Sequence, residues 1–276
     1  MNDDRAYALG HADAEIERLK LQARLIEGVT RRLIGACGVG RGMRALDIGC
    51  GPGDVAMLLA EAVGPTGVVV ALDREPGVVA LARERAARAG LAQIDFAVGS
   101  HETLADYPPF DVALGRYALI HQARPAELVR RAAAAVRRGG TVAFHELALG
   151  PRAATAADDL YSRVGAAVSA ACRATMPGAD AGTRLIAIFE EAGLGEPNLI
   201  FECLAGGSSS PVIPWLAMTC RALAPAIRGL GLGDPALDDS SLDDPERLAA
   251  AMRADAAQRH AQIVSPPQVC AFARRE

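Results

Sequence analysis

Five short apolar runs recur between Met43 and about Glu146: RALDIG, GVVVALD, IDFAV, FDVALG and GTVAFHE. Runs this short and rich in Val, Ile and Leu read as strands. Between several of them lie the helical stretches DVAMLLAEAV, GVVALARERAARA and AELVRRAAAAVRR. The link from the third run to the fourth is less regular. Strands alternating with helices at this rhythm predict an α/β fold built on a mainly parallel sheet with helices on both faces.

The flanks follow another pattern. A first helix is predicted after Asp13, where Ile16, Leu19, Ala23, Ile26, Val29 and Leu33 keep helical spacing. Beyond Gly150, helices are predicted over residues 155–176, which include Tyr161, and over 180–192. NLIFECLA reads as a strand that runs into the loop composition of GGSSSPVIP. Helical pieces follow around Trp215–Leu223 and over Glu246–His260, the latter capped by Asp244 with Pro245 at its first position. QVCAFARR reads as a closing strand. The segment between these two strands is too long for an ordinary loop and reads as an inserted helical lid.

Composition narrows the function. The 276 residues carry 29 Lys plus Arg against 33 Asp plus Glu, a net charge of −4. No global positive field attracts phosphate backbones, so a general nucleic-acid binder is disfavoured. No apolar stretch reaches the roughly 20 residues of a membrane-spanning helix, so no membrane partner is expected. The acidic, polar run MNDDRAYALGHADAEIE does not read as a secretory signal. Six cysteines, at 37, 50, 172, 203, 220 and 270, show no CxxC spacing. Neither structural zinc nor a disulfide framework is expected, and a reducing cytoplasm fits best.

The most informative stretch is Ala45-Leu46-Asp47-Ile48-Gly49-Cys50-Gly51-Pro52-Gly53-Asp54, followed by VAMLLAEA. A strand feeds a glycine-rich turn and a helix leaves it, so backbone N–H groups at the helix start are open to a ligand. The next strand ends in Asp73, placed to accept hydrogen bonds from ribose hydroxyls. Two ligand classes compete. A dinucleotide fingerprint wants a small residue where Asp54 stands, and Asp47 sits badly beside a pyrophosphate. An acidic Asp47 suits an ammonium group, so the balance favours a nucleoside with a cationic amino-acid tail.

Asp47-Ile48-Gly49-Cys50-Gly51-Pro52-Gly53 resembles the first motif of class I S-adenosylmethionine-dependent methyltransferases, and Asp73 matches the acid that holds the ribose in that family. The resemblance covers roughly residues 40–150; the flanks look like the small-molecule, natural-product branch with its variable cap. Tyr7-Ala-Leu-Gly-His, then Glu17-Arg18-Leu19 and Gln22, is similar to a bacterial subgroup of this kind. The resemblance implies a Rossmann-like, seven-stranded, mainly parallel sheet with an inserted helical cap. Its parts would be an N-terminal helical segment (1–40) closing over the cofactor, a core (41–206 and 261–276, with a cap helix about 150–178) and a lid (207–260). The implied cofactor is S-adenosyl-L-methionine, released as S-adenosyl-L-homocysteine, with no metal. Its implied contacts are Tyr7, Gln22, Asp47, Gly49, Cys50, Gly51, Asp73, Arg74, Ser100, His101 and Arg116. One departure stands out. The family usually places an acid near the adenine after the third strand, whereas this chain has Val98-Gly99-Ser100-His101, with Ser100 as the available acceptor.

Methyl transfer needs alignment first, and a base only when the acceptor must lose a proton. The fourth strand ends in Gly115-Arg116-Tyr117, with His121 a short turn later, and the fifth ends in His145-Glu146. By resemblance, His121 is the catalytic base and Glu146 orients or charges it. His145, Tyr161 and Trp215 are assigned to the acceptor. Tyr107-Pro108-Pro109-Phe110 imitates an amino-methyltransferase signature, but it precedes the fourth strand and reads as a turn. The expected activity is methylation of a small organic acceptor, first at oxygen, in bacterial secondary metabolism. The alternatives are carbon or nitrogen methylation, a lyase or cyclase using the bound sulfonium, and a non-catalytic interaction protein. A monomer or homodimer is expected.

Overall fold

The computed structural model describes residues 13–100, 102, 104, 107–149, 158–232 and 239–276. Tyr7 and His101 lie outside the described residues. In chain order the main strands are β1 (Arg44–Ile48), β2 (Val68–Asp73), β3 (Ile94–Val98), β4 (Phe110–Arg116), β5 (Val136–Leu147), β6 (Asn198–Glu202) and β7 (Gln268–Arg274). The helices are α1 (Asp13–Ala36), α2 (Asp54–Val63), α3 (Pro76–Arg88), α4 (Pro125–Ala135), α5 (Leu160–Thr175), α6 (Leu185–Glu191), α7 (Val212–Ala222), α8 (Ala224–Gly229) and α9 (Pro245–Gln258). Contacts divide the chain into two compact units.

The sheet unit comprises Ile26–Ala148, Asp180–Glu202 and Gln268–Glu276. Its seven strands are ordered β3-β2-β1-β4-β5-β7-β6. β1 to β5 run parallel, and β7 lies antiparallel between β5 and β6. Strands buried on both faces must be apolar nearly throughout, which is why the sequence runs show little alternation. Leu46, Val70, Ala113 and Val142 pack into one core layer with residues of α4 and α6. Ala45, Val69, Val112 and Ala143 pack into the other, against the C-terminal half of α1, α2 and α3. The expected seven-stranded, mainly parallel sheet with helices on both faces is therefore what the chain builds.

Several element boundaries differ from the pattern reading: α5 starts at Leu160, and the helix expected over 180–192 is a 3-10 turn, Ala181–Thr183, followed by α6. The stretch AELVRRAAAAVRR leaves the helix at Ala135, because Val136 already pairs with Phe110 and starts β5. The ladder then shifts register before Val112 meets Thr141, across a turn with Gly139 at φ 76°. NLIFECLA is likewise split. β6 stops at Glu202, and Ala205–Gly206 pairs with Ile263–Val264 in a separate two-residue ladder.

The helical unit comprises Met1–Leu25, Leu149–Ala179 and Cys203–Pro267. Asp244 caps α9 by accepting the Arg247 N–H at 3.0 Å, with Pro245 opening the helix. Asp159 caps α5 through the Ser162 N–H at 2.6 Å, and Asp255 of α9 accepts the Leu160 N–H at 2.7 Å. Among the described residues no helix is long and apolar enough to cross a membrane.

Candidate functional site

The C-terminal edge of β1 and β2 forms a carboxylate-lined turn. After β1 the chain turns sharply, with Gly49 and Gly51 at φ 70° and 49°. The N–H groups of Gly49 and Cys50 both donate to the Leu72 carbonyl, at 2.8 and 2.9 Å. A side chain on Gly51 would meet nothing within 4 Å, so this glycine leaves open space beside the backbone. Gly53, at φ 87°, serves packing instead: an added Cβ would press on Ala82 and Phe96 at 3.1–3.2 Å. Cys50 is buried, which pushes its thiol pKa up, so it offers backbone and not a nucleophile.

Asp73 closes β2. Its Oδ2 accepts the Gly51 N–H at 2.9 Å and its Oδ1 accepts the Glu75 N–H at 3.0 Å. Each oxygen keeps further lone-pair capacity, and the side chain is only partly buried. Arg74 is exposed beside it. Ser100, just past β3, accepts the Glu102 N–H at 3.2 Å.

Asp47 is fully buried, and neither carboxylate oxygen makes a hydrogen bond of good geometry. Burial raises its pKa from 3.8 to about 7, while the Arg116 charge and the nearby Ala56 N–H hold it down. A buried carboxylate without a partner is costly unless it is neutralised or paired with a cation.

On the same sheet face, side chains from α1, β4, β5 and β7 meet in one chain of hydrogen bonds. Arg116 Nη1 donates to Thr30 Oγ1 at 3.2 Å. Thr30 Oγ1 lies 3.1 Å from His145 Nδ1, and His145 Nε2 lies 3.1 Å from Gln268 Oε1. The Tyr117 hydroxyl donates to that same Oε1 at 2.6 Å. Because an amide oxygen only accepts, His145 carries its proton on Nε2 and accepts from Thr30 at Nδ1. Burial, with the Arg116 charge, drives the His145 pKa from 6.5 to about 3, so the ring is neutral. Tyr117 is left-handed at φ 54°, an uncommon conformation for a residue with a side chain. Its N–H donates to the His145 carbonyl at 2.8 Å, and its ring meets the imidazole edge-on at 5.8 Å.

Glu146 points to the opposite face. It is fully buried, and its Oε1 accepts the Leu119 N–H at 2.7 Å, gripping the one-turn 3-10 segment Leu119–His121. Burial raises its pKa from 4.5 to about 8, against the lowering effect of the Leu119, Ile120 and Ala118 amides. His121 ends that segment and is half-buried.

In the helical unit, Arg18 donates to both oxygens of Glu15, at 2.7 and 2.6 Å, and to Gln22 Oε1 at 3.0 Å. Trp215 Nε1 donates to the same Gln22 oxygen at 3.3 Å, and the Tyr161 hydroxyl donates to the Val264 carbonyl at 2.8 Å. Tyr161 and Trp215 are both buried. The polar atoms of His145, Tyr161 and Trp215, expected to face an acceptor, are thus engaged by protein groups. Pattern reading missed Thr30, Tyr117 and Gln268. A hydroxyl on the apolar stripe of α1, one residue after Val29, was the only available signal.

Residues 40–193 match the family model described as a methyltransferase domain, and the chain belongs to that family. It is similar to an aklanonic acid methyltransferase of Streptomyces sp. (strain C5), 36% identical over 116 residues, covering 41% of this chain and 52% of that protein. It is also similar to a ubiquinone biosynthesis O-methyltransferase of Azorhizobium caulinodans, 37% identical over 102 residues, covering 36% of this chain and 38% of that one. The matched segments thus span about half or less of these curated relatives. Among solved structures, a Bacillus halodurans C-125 protein assigned as a methyltransferase superposes with a TM-score of 0.59 at 17% identity, covering 89% of this chain and 98% of that one. The YcgJ protein of Bacillus subtilis superposes with a TM-score of 0.59 at 16% identity, covering 91% and 99%. At those identities the likeness establishes the class I methyltransferase fold.

Proposed function

We propose that the protein transfers a methyl group from S-adenosylmethionine to a small organic acceptor, with oxygen the first choice of nucleophile. The observation that carries this reading is Asp47: a buried carboxylate without a good hydrogen-bond partner, two residues before Gly49 of the glycine turn, suits an ammonium group. The open space at Gly51 and the remaining acceptor capacity of Asp73 suit a ribose next to it. Tyr7, Gln22, Gly49, Cys50, Arg74, Ser100, His101 and Arg116 complete the cofactor contacts in this reading. When bound, the sulfonium supplies an activated methyl group.

The chain's own residues do the rest. Asp47 and Asp73 fix the two ends of the ligand, and alignment of this kind supplies much of the acceleration in a bimolecular transfer. His121 is the group assigned to take the acceptor's proton, and Glu146 positions its turn through the Leu119 amide. Oxygen methylation draws support from the name of the Azorhizobium relative, an O-methyltransferase, and an organic-acid acceptor from that of the Streptomyces one; a place in bacterial secondary metabolism is part of the same proposal. The 1–40 and 207–260 segments are assigned to cofactor closure and the lid, with the soluble cytoplasm as the working compartment. The test is calorimetric titration with S-adenosylhomocysteine, followed by a screen of phenolic, enolic and carboxylic acceptors for its formation from S-adenosylmethionine. Binding without turnover on any acceptor class would favour the lyase or non-catalytic alternatives.

A further inference from the structure

Asp47 and Arg116 make an odd pair. Asp47 pairs in register with Leu114 on the neighbouring parallel strand, and Arg116, two residues further along that strand, shares its sheet face. Its charge acts on the carboxylate, yet no hydrogen bond joins them. A free guanidinium beside a buried, unpartnered carboxylate would close on it, since the bidentate pair is the strongest arrangement open to both. Something holds the arginine back. Its Nη1 is given to Thr30 Oγ1 instead.

Thr30 is fully buried on α1, and its environment makes it a good acceptor. Tyr117 and the His145 Nε2 proton both point at Gln268 Oε1, so His145 Nδ1, at 3.1 Å, takes the Thr30 hydroxyl proton in preference to the longer and competing contact with the Ile26 carbonyl at 3.3 Å. The Thr30 lone pairs then face Arg116. The left-handed backbone at Tyr117, directly after Arg116, is anchored at its N–H by the His145 carbonyl and at its hydroxyl by Gln268. We propose that the chain Tyr117–Gln268–His145–Thr30 is a restraint that holds Arg116 away from Asp47 and so reserves the Asp47 carboxylate for the ammonium group of an amino-acid ligand. This rests on the reading of the site given above. Thr30, His145 and Gln268 are then positioning residues that act through Arg116.

Two probes separate this role from simple packing. S-adenosylhomocysteine carries the ammonium group, whereas 5′-methylthioadenosine keeps the nucleoside and thioether without the amino acid. Thr30→Val, nearly isosteric, should weaken S-adenosylhomocysteine at least tenfold by calorimetry and leave 5′-methylthioadenosine within twofold. Thr30→Ser keeps the hydroxyl and should restore wild-type affinity for both. His145→Leu should repeat the selective loss. Equal affinity of wild type and Thr30→Val for S-adenosylhomocysteine overturns the inference and leaves the cofactor reading standing. Equal loss of both probes in Thr30→Val overturns it too, since the site would then have been distorted as a whole. Failure of the wild type to bind S-adenosylhomocysteine defeats the cofactor reading itself, and the inference with it.

Discussion

Glu146 Oε1 accepts the backbone N–H of Leu119 at 2.7 Å, so a carboxyl group at the end of β5 holds the turn that carries His121 after β4. The two residues assigned to chemistry are therefore coupled through the main chain. Glu146→Gln keeps an acceptor for the amide and should change kcat little. Glu146→Ala leaves a buried N–H unpaired, at a cost of about 1–3 kcal/mol, and should lower both stability and kcat. His121→Ala should lower kcat by roughly 10²–10⁴ with S-adenosylhomocysteine affinity unchanged. Full activity in His121→Ala across pH 5–8 would show that alignment alone drives transfer.

Asp73→Ala should weaken S-adenosylhomocysteine by about tenfold or more. Hydrogen bonds to a charged group are worth roughly 1.5–3 kcal/mol each, and 1.4 kcal/mol is about one decade. Calorimetry on a variant shown by circular dichroism to be folded checks this. Unchanged affinity would mean that the ribose sits elsewhere.

Binding should be linked to pH through Asp47. The free protein holds this carboxyl at a pKa of about 7, and an ammonium ligand requires the ionised form. Binding near and below neutrality should therefore release a proton, and affinity should fall as pH drops below about 7. Titrations in buffers of different ionisation enthalpy read the proton count. Asp47→Asn should bind more weakly and lose the pH dependence.

Stability of the ligand-free protein should also fall with rising pH. Asp47 and Glu146 are raised in the fold, from 3.8 to about 7 and from 4.5 to about 8, so the native state holds protons that the unfolded chain has lost. Their stabilisation is complete below the unfolded values and is lost as pH climbs through the folded ones. His145 acts oppositely, from 6.5 down to about 3, and its contribution is complete above 6.5. Between about pH 6.5 and 8 only the carboxyls remain in play, so the melting temperature should decline there. Glu146→Gln should flatten the decline, and thermal melts across that window decide it.

Trp215→Ala should destabilise the helical unit by about 3–5 kcal/mol, the usual cost of deleting a buried indole. Trp215→Phe should keep most of the packing but strand the Gln22 oxygen with one donor fewer. A change of acceptor preference in Trp215→Phe, with an unaltered melting temperature, would support the substrate role expected of this residue.

The sheet and its glycine turn were legible because parallel strands and a left-handed turn leave local marks: apolar runs, crossover helices, and glycine at Gly49, Gly51 and Gly53. Capping at Asp244 and Pro245 was legible for the same reason. The hydrogen-bonded chain was not. Thr30, Tyr117 and Gln268 are far apart in sequence, and only the alignment of β5 with β7 and the seating of α1 bring them to His145. The split of NLIFECLA was hidden too, since Cys203 to Gly206 continue an apolar pattern while pairing with a different partner.

The Asp73 carboxylate both shapes the glycine turn, through Gly51, and presents the acceptors assigned to the ribose. On the proposed reading, a substitution that removes these acceptor oxygens would loosen the glycine turn at the same time as it changed ligand preference. A change of nucleoside preference would then be easier to engineer at a neighbour that the turn does not lean on, such as exposed Arg74, than at the strand end with its double duty.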